Sequence, residues 1–249
     1  MVLLPDLRKA DPVSTRAHPN RVAVLAPMVS ELRPIVRAFS LQRAQLGDVN
    51  VYVGTLGDVE IVASKIGMGT RAAAASTERL LEVTTVDHVL VVGIAGGVVP
   101  GVEIGDMIFP SRVVDHATGA EYFPAGLAPG EASGTLLTSD EFIVDPSELD
   151  GLAGRGIVGL DMETAAVAAV CERRECEWSV VRSVSDRPGE VPAGVLDLAG
   201  TDGSPNLGRS VRFMVTRPWR VPGLVRLARN SQLAANRAAD SAVAACTRR

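Results

Sequence analysis

The stretch from Gly156 to Arg173, GIVGLDMETAAVAAVCER, decides the fold class. Its first part, Gly156–Leu160, is a short apolar run typical of a buried β-strand. Its second part, Met162–Arg173, is rich in alanine and predicts a helix that packs closely on the sheet. A strand that passes directly into a helix is typical of α/β proteins, so this stretch predicts that class.

The same alternation extends over most of the chain. Gly57–Asp58 separates two strand-like runs and predicts a hairpin, which makes the sheet mixed. Predicted strands cover Val22–Ala26, Val49–Leu56, Val59–Lys65, Val86–Gly93, Ile104–Val114, Thr135–Thr138 and Trp178–Val184. Predicted helices cover Ser30–Phe39 (capped by Ser30, with Pro34 in its first turn), Thr70–Val83, Leu207–Val215 and Leu224–Cys246, and predicted loops cover Gly93–Gly97, 117–135 and 187–206.

These elements predict an α/β, single-domain three-layer fold with a central mixed β-sheet flanked by helices. We assign residues 21–249 to this domain and residues 1–20 to a flexible N-terminal tail, because the tail has charges and two prolines but no apolar segment of signal-peptide length. The longest apolar run, Val89–Val102, is interrupted by glycines and a proline, so no stable membrane insertion is predicted.

Composition narrows the function classes. The formal net charge of −4 gives no global attraction to nucleic acid. Three cysteines without CxxC spacing indicate free thiols in a reducing compartment, so a cytoplasmic location is expected. The histidines lack ligand partners at motif spacing, so neither a metal nor a cofactor is predicted. These residues are Cys171, Cys176 and Cys246, and His18, His88 and His116.

Three acidic residues stand where predicted strands end. Glu31 follows the first strand, Glu163 begins the helix after Leu160, and Asp186 follows Val184. In open α/β sheets the ligand crevice lies beyond the carboxyl ends of the strands. Each carboxylate alone could simply stabilise a helix N-terminus. Their joint occurrence favours a shared site.

Six segments carry a family resemblance. Gly159–Ala166 resembles the (V/L)-E-M-E-(A/T/G)-A signature of the nucleoside phosphorylase and nucleosidase superfamily. Five further segments resemble elements of that family in the same order: Ala26–Glu31, Ser64–Gly69, Gly93–Gly97, Ile104–Asp106 and Val181–Asp186. The resemblance covers about residues 21–190.

The resemblance implies a role for each candidate residue. Asp186 corresponds to the acid that protonates the purine at N7, and Glu163 to the residue that accepts hydrogen bonds from the ribose hydroxyls. Glu31 corresponds to the residue that activates water, and Arg182 to a residue near that water. Phe142 resembles an aromatic residue that stacks on the base. The other expected substrate-binding residues are Met162, Ile94, Ala95, Gly96, Ile143 and Ser185.

The reaction implied is cleavage of the N-glycosidic bond of an adenine-type purine nucleoside. Hydrolysis is favoured, because Glu31 stands in the loop where phosphorylases of this fold carry a phosphate-binding arginine, and a carboxylate repels phosphate. Phosphorolysis stays open through Arg33 and Arg71. Cleavage of an adenosyl-lipid also stays open, because Asp202–Gly208 and the helical segment after Leu224 resemble the hopanoid-associated branch of the family. Family members are commonly homo-oligomers, so we expect one here.

A non-catalytic nucleoside- or dinucleotide-binding protein is the competing class. Gly67–Ala72 fits the G-x-G-x-x-(G/A) fingerprint that follows a strand and opens a helix. That fingerprint requires an acidic residue at the end of the next strand. The available residue, Asp87, precedes that strand, which argues against a dinucleotide site.

Overall fold

One mixed sheet of eleven strands organises the computed structural model, which describes residues 20–127, 129–190 and 221–247. The strands are β1 Arg21–Ala26, β2 Gln42–Leu46, β3 Val49–Leu56, β4 Val59–Lys65, β5 His88–Gly97, β6 Met107–Ile108, β7 Arg112–Asp115, β8 Glu121–Tyr122, β9 Thr135–Thr138, β10 Ile157–Asp161 and β11 Glu177–Asp186. The helices of the described ranges are α1 Val29–Ala38, α2 Thr70–Val83, α3 Pro146–Gly154, α4 Thr164–Arg173 and α5 Val221–Thr247.

Four parallel strands, β4, β1, β5 and β11, form the centre of the sheet. The β2–β3–β4 hairpins extend one side with antiparallel pairs. At the carboxyl end of β5, β10 pairs antiparallel with its last two residues and parallel with β9, which continues to β7 and β8, while β6 pairs antiparallel with β11. The carboxyl ends of β1, β5 and β11 therefore lie at the same edge.

The helices cover both faces of this sheet. Side chains of β1 alternate between them: Ala23 and Leu25 join the cluster that contains α2 and α4, whereas Val22 and Val24 join the cluster that contains α1 and α5. Strands buried on both faces become continuous apolar runs, as the sequence of β1 shows. The predicted α/β class, three layers and mixed sheet are confirmed.

The sequence pattern predicted the bounds of some elements correctly and those of others wrongly. The strands β3 and β4 and the helix α2 have the predicted bounds. The predicted loop Gly93–Gly97 was wrong, because β5 continues through these glycines while it pairs with β11 and β10. The predicted strand Ile104–Val114 was also wrong. It is split into β6 and β7 around Pro110, whose nitrogen cannot donate to a ladder.

The starts of two helices differ from the prediction. Helix α1 begins at Val29 with Met28 as its N-cap, so Ser30 is not the cap, and Pro34 lies in the second turn. The carboxylate of Glu31 satisfies the backbone N–H of Met28 instead. Helix α4 begins at Thr164 rather than Met162, which leaves Met162 and Glu163 in the connection after β10. Strand β2 and helix α3 were not predicted, and the predicted loop 117–135 was wrong at strand β8, which pairs with β7.

Several predictions lie outside the described residues. They are the flexible tail up to residue 19, the helix Leu207–Val215, the Asp202–Gly208 segment, and the loop 187–206 beyond residue 190. Helix α5 starts at Val221, earlier than the predicted Leu224. No helix within the described ranges is both long enough and apolar enough to cross a membrane.

Helix α5 approaches the sheet through a ridge of fully buried alanines, which includes Ala234, Ala238 and Ala242. A larger side chain on this ridge would force α5 away from β11 and β5. We predict that Ala238→Leu lowers the free energy of unfolding by about 1–3 kcal/mol, as expected for overpacking of a close-packed core. Chemical denaturation measures this change in the free energy of unfolding. Ala244→Leu on the exposed side of the same helix is the control and should change stability little. Equal losses of stability in both variants would contradict the close packing of the alanine ridge on the sheet.

Candidate active site

A cavity of about 230 Å³ lies at the carboxyl ends of the central strands. It is lined by residues from β5, the β10–α4 connection, β11, α1 and α5. Of the predicted site residues, those that line it are Glu31, Ile94, Ala95, Gly96, Phe142, Ile143, Met162, Glu163, Ser185 and Asp186. The structure therefore brings together all the predicted residues except Arg182 along one cavity.

Glu31 reaches this cavity from the first turn of α1. Its Oε1 accepts the backbone N–H of Ile94 at 2.9 Å, and its Oε2 accepts that of Met28 at 3.1 Å. The carboxylate is thus held between the first-strand loop and the end of β5, and it is 2% exposed. Burial raises the pKa of Glu31 to about 7, although Arg182 and the two backbone donors oppose the rise.

Glu163 is the N-cap residue of α4, but its side chain is directed to another helix. Its Oε1 accepts the backbone N–H of Gly69, the N-cap of α2, at 3.0 Å. The next N–H of that turn, from Thr70, is bound by Asp140 at 2.8 Å. The positive end of the α2 dipole therefore stabilises two carboxylates. Burial raises the pKa of Glu163, Arg182 opposes this, and Asp161 and Glu31 add to it.

Arg182 lies behind the cavity wall with 0% exposure. Its Nη2 donates to Asp161 Oδ2 at 2.5 Å and to Thr164 Oγ1 at 2.9 Å. Its contacts with the other two carboxylates are longer: Nη2 to Glu163 Oε2 is 3.6 Å, and Nη1 to Glu31 Oε1 is 4.0 Å. Among the described residues, Nε and Nη1 have no hydrogen-bond partner.

Asp186 owes its position to an irregularity in β11. The register with β5 passes from Val184 opposite Ala95 to Asp186 opposite Gly96, so Ser185 is an extra residue. Such a bulge redirects the side chains that follow it. The Ser185 hydroxyl lies 2.6 Å from Asp186 Oδ1, and a Cβ on Gly96 would lie 3.2 Å from Asp186 Oδ2. Burial raises the pKa of Asp186, while the Ser185 hydrogen bond opposes the rise.

Asp161, Leu227 and Ser231 are among the cavity residues that the sequence analysis did not predict. Asp161 stands in the quoted signature directly before Met162, but only the structure shows that it binds Arg182. Leu227 and Ser231 line the cavity from α5, far along the chain from the motifs, and no local pattern predicts that placement. Phe142, the expected stacking residue, is 39% exposed at the cavity, and its neighbour Ile143 is partly buried.

The structure places Asp87, the acidic residue considered for a dinucleotide site, away from the cavity. Asp87 precedes β5, and its carboxylate accepts the backbone N–H groups of Asn20 and Arg21 at 2.8 and 2.9 Å. It therefore anchors the start of β1, at the end of the strands remote from the cavity.

A family model described as the phosphorylase superfamily matches residues 21–133 and 128–202. The chain belongs to the phosphorylase superfamily. The predicted family is confirmed, and with it the class of enzyme that cleaves N-glycosidic bonds.

Individual superfamily members give the same assignment. The 5′-methylthioadenosine/S-adenosylhomocysteine nucleosidase of Anoxybacillus flavithermus is 30% identical over 201 residues, which cover 68% of this chain and 86% of the relative. The enzyme of the same name from Chromohalobacter salexigens is 28% identical over 202 residues, covering 69% and 86%.

Solved structures of superfamily members share the fold. The nucleosidase of this name from Neisseria meningitidis, in complex with methylthio-immucillin-A, has a TM-score of 0.69 at 18% identity and covers 91% of this chain and 98% of its own. The futalosine hydrolase of Helicobacter pylori has a TM-score of 0.69 at 18% identity and covers 91% and 97%. The individual residue roles, the homo-oligomer and the cytoplasmic location stay predictions.

The buried carboxyl of Glu31 makes stability depend on pH. Between its ordinary pKa of 4.5 and its folded value of about 7, the folded protein keeps a proton that the unfolded chain has lost. The free energy of unfolding therefore falls as pH rises through this interval. We predict that Glu31→Gln gains stability relative to wild type between pH 5 and pH 8, by on the order of 2 kcal/mol.

Denaturant unfolding at several pH values measures this difference. The control is Glu131→Gln, a substitution of an exposed side chain, which should follow the wild-type pH dependence. Parallel curves for wild type and Glu31→Gln would contradict the proton held on Glu31.

Proposed function

We propose that this enzyme hydrolyses the N-glycosidic bond of an adenine-type purine nucleoside. One observation carries the proposal: Asp186, Glu163 and Glu31, from three different elements, line the same cavity. Each carboxylate has its own backbone or hydroxyl partner, so each is held in place without a bound ligand.

Asp186 is the proposed acid to the leaving base. Cleavage of the C–N bond leaves negative charge on the purine, which a proton at N7 neutralises. Burial favours the protonated form of Asp186, as this role requires. Phe142 would contact the face of the base and the backbone of Ile143 its edge, since both residues line the cavity with Asp186.

Glu163 is the proposed partner of the ribose. Its Oε1 is bound by Gly69, while its Oε2 lies 3.6 Å from Arg182 and can accept a hydroxyl hydrogen. In its ionised form it would also stabilise the positive charge that develops on the sugar. Met162, in the same connection after β10, would pack against the sugar ring.

Glu31 is the proposed base for water. With a pKa raised to about 7, its carboxylate is a better proton acceptor than an ordinary glutamate and is partly ionised at neutral pH. Nη1 of Arg182 has no hydrogen-bond partner within the described part of the chain, and its gap of 4.0 Å to Glu31 Oε1 is compatible with a molecule that bridges both groups.

The same geometry supports water over phosphate as the nucleophile. Arg33 and Arg71, which kept phosphorolysis open, are exposed, and neither lines the cavity. Arg182 is surrounded by the carboxylates of Asp161, Glu163 and Glu31, which disfavour a further anion such as phosphate. The similar relatives are named nucleosidases, and one structural neighbour is named a hydrolase.

The substituent at the 5′ position is the variable part of the proposal. Leu227 and Ser231 of α5 form a wall of the cavity that no proposed catalytic residue shares. A panel of adenosines with methylthio, homocysteinyl, carboxylate-bearing and long alkyl groups at the 5′ position would define the substrate, and would include the adenosyl-lipid alternative. We further propose that the enzyme acts in the cytoplasm as a homo-oligomer, as is common in its family.

The reaction is tested by incubating the protein with these nucleosides, with and without phosphate, and separating free base by chromatography. We predict base release without phosphate, and its loss in Glu31→Gln because no base remains for water. Base release only in the presence of phosphate would instead support phosphorolysis. No base release under either condition would overturn the proposed function.

Asp186→Asn tests the acid. We predict a fall in kcat of about 10²–10⁴-fold, the usual contribution of a positioned general acid, with the fold retained in circular dichroism. Asp150→Asn, an exposed change in α3, is the control and should keep wild-type turnover. Near-normal turnover of Asp186→Asn would remove Asp186 from this role.

A further inference from the structure

Asp161 joins four elements at the back of the cavity. Its Oδ1 accepts the hydroxyl of Thr138 from β9 at 2.6 Å, and its Oδ2 accepts the hydroxyl and backbone N–H of Thr164 from α4. The same Oδ2 accepts Arg182 Nη2 at 2.5 Å from β11, while Asp161 itself ends β10. Thr138 also accepts the N–H of Ala165, so this network is tied to the first turn of α4.

The three carboxylates around Arg182 are not equivalent. The guanidinium contacts Asp161 directly but stays 3.6 Å from Glu163 and 4.0 Å from Glu31. All four groups are buried and come from four places: Glu31 from α1, Asp161 from β10, Glu163 from the start of α4, and Arg182 from β11. A buried cation is drawn to any of these anions, so something must decide which one it binds.

We propose that Asp161 is a positioning residue that holds the Arg182 guanidinium at the back of the site and keeps Glu31 and Glu163 free for water and ribose. This rests on the proposed function, in which those two carboxylates face the substrate. Asp161 offers a carboxylate whose other acceptor positions are already filled by Thr138 and Thr164, so its orientation is fixed before Arg182 binds. The family signature that this stretch resembles carries Glu at this place, where this chain has the shorter Asp.

Loss of the charge on Asp161 would redirect Arg182. With asparagine there, the strongest partners left are Glu31 and Glu163, and a shift of about 1 Å would bring the guanidinium into direct contact with either. A base paired with a cation holds its proton less tightly and abstracts one less readily. Loss of the Asp161 charge acts on the pKa of Glu31 in the same direction. The site would keep its shape, but Glu31 would be a weaker base for water.

The test is the pH profile of kcat/KM, which reports the free enzyme. For Asp161→Asn we expect kcat to fall at least tenfold and the acid limb to move to lower pH by about one unit. Thr138→Val is the matched control: it removes a hydrogen bond to Asp161 but no charge, so the limb should stay in place. Asp161→Glu restores the charge and should return the limb to its wild-type position.

The outcomes separate this inference from the proposed function. A wild-type protein that releases no base refutes both. An active wild type together with a folded Asp161→Asn whose acid limb does not move overturns the role of Asp161 alone. If Asp161→Asn does not fold, the double variant Asp161→Asn/Arg182→Gln removes both charges and should keep the limb near the wild-type pH. A shift of one unit or more in that variant also overturns the inference.

Discussion

The buried positive charge of Arg182 is the constraint from which the site follows. A guanidinium removed from water is strongly destabilising unless anions surround it. This chain supplies three of them, Asp161, Glu163 and Glu31, from different elements. This cluster contains three carboxyl groups and one guanidinium. Burial therefore favours protons on Glu31 and Glu163, the two carboxyl groups that Arg182 does not contact directly. Burial raises the pKa of Glu31 to about 7 and that of Glu163 to about 8, and Arg182 limits both rises.

The sheet allows these groups to meet. Strands β1, β5 and β11 end at one edge, and β5 continues as a strand through a glycine-rich segment that a loop would not hold in register. A side chain at Gly93 would collide with Glu31 Oε1 and Arg182 Nη1. The absence of a Cβ there lets α1 deliver Glu31 to the end of β5. Because the two segments lie so near each other, the backbone N–H of Ile94 donates a hydrogen bond to the Glu31 carboxylate.

The sequence predicted the parts of this arrangement that depend on local pattern. Two strand-like runs separated by a glycine–aspartate turn located the β3–β4 hairpin, and acidic residues after apolar runs located the three carboxylates. The strand character of Gly93–Gly97 was missed because it comes from pairing on both sides, which overrides the preference of glycine for turns. The role of Asp161 was not predicted, because its contact with Arg182 from another strand leaves no pattern in the residues next to it in the sequence. The placement of Leu227 depends on how α5 docks, a long-range property.

Different parts of helix α5 have different structural roles. Alanines such as Ala238 fix its distance from the sheet, whereas Leu227 and Ser231, nearer its start, form part of the cavity wall and are only partly buried. The α5 residues that line the cavity are therefore separate from those that pack the helix on the sheet. Evolution could exchange the two wall positions without rebuilding the core, so a lineage could acquire new nucleosides while the chemistry at the strand ends is inherited unchanged.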